Sequence, residues 1–234
     1  MKNLFKVAVV AATLSSSLVL ANVANAQDSE AKKAAPAPVL PVECPGYKRG
    51  TTQIVGERTG KKVQRAFEAY NEDRIAEAIQ ILIDIETSDT FDKAYVDRFV
   101  GNLLAAEKDR ADEALVRLTA SVSTKVLNDR EHADTLRLLG DLNLQEKEYA
   151  NAIKWYNKWI DFTCKEDPAI YTRMAQGFYE LKQLDKIIVP ADKAIALYTK
   201  EGKPNKNPYV LKLTSYYERK DYPSTVKVAE ELVR

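Results

Sequence analysis

The residue types that carry out chemistry are scarce in this sequence. It holds one histidine and two cysteines, so a structural zinc site, which takes four sulfur or nitrogen ligands, lacks donors. A Ser/His triad would depend on His132 alone, and eight glycines form no phosphate-cradling loop. No convergent nucleophile, base and oxyanion set is present. The expectation is a non-catalytic chain with no cofactor and no metal; the competing reading is an enzyme or enzyme subunit with an unrecognised site. His132 stands beside Glu131 and Asp134 at a predicted helix start, where acidic residues favour the helix dipole, and reads as a surface histidine. Trp155, Tyr156, Trp159 and Phe162 recur three and four apart, the spacing of a packed helical face rather than a ligand box. Cys44 and Cys164 can pair in an oxidising compartment, remain as two free thiols, or pair with another protein.

Composition bounds the partners. The chain has 234 residues, 45% apolar and 29% charged, enough apolar content to build a core. Thirty-five Lys plus Arg against 34 Asp plus Glu leave a formal charge of +1, which removes the electrostatic case for nucleic acid. Residues 1–26 read as a signal peptide: Lys2 and Lys6 at the start, an apolar stretch from Val7 to Ala21, and Ala24-Asn25-Ala26 before a cleavage that leaves Gln27 first. No cysteine follows that stretch directly, so a lipoprotein is not expected. The mature chain is expected to be exported and soluble, with no integral membrane segment. Residues 27–56 are Ala/Pro-rich and read as a flexible leader.

From residue 57 to 234 apolar residues recur three and four apart in segments of helical length. A small residue marks each segment pair: Ala78, Ala114 and Ala152 in AEAI, DEAL and ANAI, with Ile187 and Thr225 in the same place. The intervals are 36, 38, 35 and 38 residues, the length of one helical hairpin each. In the third copy Leu136, Leu139, Gly140, Tyr149, Ala152 and Tyr156 resemble the tetratricopeptide (TPR) pattern. The fourth carries it through Tyr171, Met174, Ala175, Phe178 and Leu184, and the second through Val100, Gly101, Leu104, Ala114 and Leu118. The first (Ala66, Ala69, Ala78, Leu82) and fifth (Tyr209, Leu213, Tyr216, Tyr222, Ala229) match less closely.

That resemblance implies an all-α, right-handed superhelical solenoid of about five antiparallel helical hairpins. Ile187 and Thr225 exceed the small residue the pattern asks for, so helix packing should change in the last two copies. Asp167-Pro168 and Asn207-Pro208 should cap the fourth and fifth copies. Pro190 should kink the second helix of copy four. Arg234 follows the apolar Leu232 and Val233 with no polar capping helix behind it, which leads to the expectation of a partner, self-association, or a sequence that is a fragment.

In such a solenoid the first helix of each hairpin lines a concave groove. Counting from the pattern, the partner-binding positions are Tyr70 and Asn71, then Arg98 and Asn102, then Arg137, Asp141 and Gln145, then Gln176 and Tyr179, and last Thr214 and Tyr217. Arg98 and Asn102 resemble part of the carboxylate clamp of chaperone-binding TPR domains, but Arg137 and Asp141 stand where its matching Asn belongs. The runs AFEAYNEDRIAEAI and IETSDTFDKAYVDRFVGNLL resemble exported TPR proteins of Gram-negative bacteria that accompany TonB, ExbB and ExbD. This resemblance implies a soluble periplasmic adaptor for protein–protein interaction, accessory to TonB-dependent energy transduction and uptake. Its partners would be envelope proteins or peptide segments, TonB, ExbB or ExbD components among them.

Overall fold

The computed structural model describes residues 41–49 and 52–233. The signal peptide and residues 27–40 of the leader lie outside the described residues, as does Arg234. Among the described residues there is no strand. Ten α-helices follow one another: α1 Glu57–Asn71, α2 Ile75–Ile83, α3 Thr90–Ala106, α4 Ala111–Val122, α5 Asp129–Gln145, α6 Tyr149–Thr163, α7 Pro168–Glu180, α8 Ile188–Lys200, α9 Asn207–Glu218 and α10 Tyr222–Val233. They pair as five successive antiparallel hairpins, the TPR-type solenoid expected from the repeat.

A backbone signature repeats with the sequence. Asp73, Asp109, Lys147, Lys182 and Lys220 sit in the turn of each hairpin with φ between 57° and 64°, at intervals of 36, 38, 35 and 38 residues. Each lies five residues before the marker position. In copies one, three, four and five the amide of the left-handed residue donates to the carbonyl three back, and the next amide to the carbonyl five back, as in Lys147 to Leu144 and Glu148 to Asn143. These bonds satisfy carbonyls that a helix end leaves open and reverse the chain in three residues. Copy two departs: α3 ends on an extended Glu107 with ψ 139°.

Helix contact then selects residue size. Ala78, Ala114 and Ala152 are fully buried. A Cβ on Gly101 would stand 2.7 Å from Leu118 Cγ, and one on Gly140 2.5 Å from the Tyr156 ring, so only glycine lets these helices meet. Leu82, Leu104, Leu118, Leu139 and Ile170 fill the space between hairpins and join one core running from Ala66 in α1 to Ala194 in α8. Tyr156 and Trp159 are buried in that core, with Trp155 and Phe162 packed against it, as their spacing predicts.

Three local expectations change. Pro190 does not kink a helix interior, because a 3-10 turn spans Leu184–Ile187 and α8 begins only at Ile188. Proline has no amide for the carbonyl four residues back and its ring crowds that carbonyl, so the α-helical ladder starts late and Pro190 falls in its first turn. Asp167 caps α7 as expected, accepting from the Ala169 and Ile170 amides. Asn207, however, is already inside α9; the side chain of Asn205 accepts its amide at 2.9 Å. Finally, the leader is not free through residue 56. Val42 is buried, the Glu43 amide donates to Thr163 O at 2.7 Å, and Cys44 is disulfide-bonded to Cys164, which ends α6 in a left-handed cap.

Candidate functional site

The first helices of the hairpins present the groove positions, but charged and neutral ones fare differently. Arg98 is half-buried and faces Glu131 of α5 at 3.6 Å. Arg137 donates to Asp167 at 2.8 Å, reaching from α5 to the cap of α7. Asp141 accepts from the Tyr156 hydroxyl at 2.7 Å and from Arg173 of α7 at 2.9 Å. Burial, with Asp141 adding to it, pushes the Tyr156 phenol well above its ordinary pKa. So Arg98, Arg137 and Asp141, the charged positions expected to meet a partner, are each joined to a neighbouring repeat of the same chain.

The neutral positions stay available. Gln145 and Gln176 are exposed, Asn102 and Thr214 half-buried, and none of these four has a side-chain hydrogen bond among the described residues. Tyr70 and Asn71 are exposed at the end of α1. Tyr179 is half-buried with Lys182 over its ring at 4.6 Å, and the exposed Tyr217 meets Tyr222 edge to face at 6.2 Å. The surface on offer is therefore amide, hydroxyl and phenol. Such groups hydrogen-bond an extended backbone without requiring a particular charge.

Sequence reasoning missed the residues that complete the ion pairs: Glu131, Asp167 and Arg173. Their signal was present, since each lies 30 to 33 residues from its partner, close to one repeat. A second missed network lies within copy two, where the buried Asp97 accepts from Lys93 and from Arg117 of α4. The partly exposed pairs between repeats are each worth about 0 to 1 kcal/mol and tie neighbouring repeats together, whereas the buried Asp97 ties α3 to α4 within one repeat.

His132 is not a surface histidine. It is buried, its ring centroid 4.5 Å from that of Phe162 in α6, and burial with the nearby Lys125 charge lowers its pKa to about 4 against a weaker pull from Asp129. The reason is tertiary. Residues 41–49, tied down by the disulfide, come over the start of α5, where the Tyr47 hydroxyl donates to Asp129 at 2.5 Å. A cavity of about 310 Å³ remains between these parts. Among the described residues no group of three His, Cys, Asp or Glu side chains is placed to hold a metal, and no helix is long and apolar enough to cross a membrane.

No protein-family description matches this chain, and no curated protein does. Solved structures do. A point mutant of MamA is 17% identical, with a TM-score of 0.58 over 76% of this chain and 91% of that one. MamA from Desulfovibrio magneticus RS-1 is 15% identical, with a TM-score of 0.57 over 77% and 96%. A putative kinesin light chain of Podosopora anserina with nearly identical TPR-like repeats is 12% identical, with a TM-score of 0.51 over 75% and 93%. At these identities the likeness is one of fold: a solenoid of TPR-type hairpins.

Proposed function

We propose that this chain is a non-catalytic adaptor that holds an extended segment of another protein along the first helices of its repeats. The observation that carries this reading is the split between charged and neutral groove positions. Arg98, Arg137 and Asp141 are consumed in joining repeats, while Asn102, Gln145, Gln176, Tyr179, Thr214 and Tyr217 are left to face a ligand. Stacked helical hairpins commonly use this face for peptides and partner segments.

The proposed setting is the periplasm, reached by the signal at residues 1–26, with a role accessory to TonB-dependent uptake. The Cys44–Cys164 bridge supports an oxidising compartment. The resemblance of residues 66–79 and 85–104 to TPR proteins accompanying TonB, ExbB and ExbD supports the partner class. Mass spectrometry of envelope protein should find a chain beginning at Gln27; a chain keeping Met1 in the membrane would overturn export. For the groove, fluorescence anisotropy with labelled periplasmic segments of TonB and ExbD is the test. Combined Asn102→Ala, Gln145→Ala and Gln176→Ala should weaken binding at least about tenfold, the loss expected for a few well-placed interface contacts, with melting nearly unchanged. Equal binding by that variant would overturn the groove. Failure of every segment to bind the unaltered protein would overturn the TonB assignment.

A further inference from the structure

The first and last hairpins offer opposite outer surfaces. Along α1, Glu57, Lys61, Gln64 and Glu68 form an exposed stripe that satisfies itself, Lys61 donating to Glu57 at 2.7 Å and Gln64 to Glu68 at 3.1 Å. Glu68 lies ten residues before the marker Ala78, where copies three, four and five place Leu142, Gly177 and Ser215, all buried. That position seats each hairpin on the one before it. A Cβ on Gly177 would stand 3.1 Å from Ile153 of copy three, and Ser215 donates to Leu184 O of copy four at 2.6 Å. Copy one is therefore polar where the later copies make contact.

Copy five is apolar at the same spacing. Tyr222, Val226, Ala229 and Val233 recur four, three and four apart along α10, on a face turned from the buried Val228. Val226 follows the marker position directly, where Ile79 and Ile153 are buried, Ile153 beneath α7. On α9, Val210 and Tyr217 take the side opposite Ser215, and Tyr217 meets Tyr222 edge to face at 6.2 Å, so the two stripes join. Val210, Tyr217, Tyr222, Val226 and Val233 are between 48% and 83% exposed. At those exposures five large apolar side chains present roughly 500 Å². Two such faces reach the lower end of specific interfaces, about 1,000 to 1,200 Å² in all.

We propose that this face joins two copies of the chain, their α10 helices packed antiparallel about a two-fold axis between Val226 and Ala229. Tyr222 of each copy then meets Val233 of the other, and the small Ala229 lets the helices approach. Charge fits this direction. Lys227 and Glu230 are exposed on one flank of the stripe, and the axis brings Lys227 of each copy within one helical turn of the level of Glu230 of the other. Stacking copy five on copy one of a second chain would instead bury Lys61, Gln64 and Glu68 against valines and tyrosines, where no group replaces their water. A self-complementary contact closes at two copies.

Sedimentation equilibrium of the mature, disulfide-bonded protein from about 1 to 500 µM is the test, with a reversible monomer–dimer equilibrium in the micromolar range and no larger species expected. Val226→Glu should weaken dimerisation at least about tenfold and leave helicity by circular dichroism unchanged, since the residue is exposed in the single copy. Lys227→Glu sets like charges opposite each other and should weaken it by about threefold or more, and adding Glu230→Lys should restore it. A monomer throughout the range, which would leave the face to another protein, overturns the proposal. Species growing beyond the dimer, as a head-to-tail stack would give, overturn it as well, and so does a dimer indifferent to Val226→Glu. Equal weakening by the single and double charge variants overturns the antiparallel arrangement.

Discussion

Copies two and three differ from copy five although copies three and five carry the same turn. Helix α3 buries nine residues and α5 eight, while α9 buries Pro208 and Ser215, and α10 buries Val228 alone. Copies two and three lie inside the continuous core; copy five adds no residue to it. Yet Lys147 and Lys220 close their hairpins with the same φ and the same two backbone bonds. A hairpin's shape is thus local, whereas its stability comes from the faces it shares with its neighbours.

The disulfide is the strongest way to break this contrast, since it fastens the segment at 41–49 onto copy three. Replacing Cys44 and Cys164 by serine should cost about 5 kcal/mol in urea unfolding, the loop-closure value for a separation of 120 residues. If copy five already unfolds on its own, the loss will appear in the main transition and leave an early one unmoved. Next comes Gly140→Ala, whose new Cβ meets the immovable Tyr156 ring and should cost about 2 to 3 kcal/mol by overpacking. Thermal melting measures it; a change below about 0.5 kcal/mol would mean that α5 and α6 separate easily.

Acid should reveal His132. Its folded-state pKa of about 4 lies below the ordinary 6.5, so stability is complete above pH 6.5 and falls as pH drops toward 4, where the unfolded chain takes up a proton that the folded one refuses. The loss should reach about 1 to 3 kcal/mol and level off below pH 4, and His132→Phe should flatten the slope across this window. The smallest effect sharpens the comparison most. Lys147→Gly and Lys220→Gly each relieve a left-handed side chain and should stabilise by about 0.5 to 1 kcal/mol. Equal gains in copies three and five would confirm that the turn is local; a gain confined to copy three would show that copy five is already open when the rest unfolds.

Much of this was legible in the residues. The spacing of Ala78, Ala114, Ala152, Ile187 and Thr225 matches the spacing of the turns to the residue, because both express the length of one hairpin. The apolar face of Trp155, Tyr156 and Trp159 was equally plain. Groove chemistry was only half legible. Counting along helices proposes a shared face, but it does not reveal that Arg98, Arg137 and Asp141 pair with Glu131, Asp167 and Arg173 one repeat away in the same chain. Pro190 was misjudged because apolar spacing alone places the helix start before the proline, whereas the missing proline amide leaves a 3-10 turn at Leu184–Ile187 and lets the α-helix begin only at Ile188.

The sequence by itself determined the fold class, the number of hairpins and where each one turns. Those are properties of short stretches: helical periodicity, a small residue at each close approach, and a three-residue reversal. Only the tertiary structure decided which charges are internal, that residues 41–49 belong to the folded unit, and that His132 is buried beside a cavity. Each of these depends on groups 30 to 120 positions apart meeting in space. A side chain's neighbours across the fold, not those beside it in the chain, set its solvation and therefore its charge, its partners and its use.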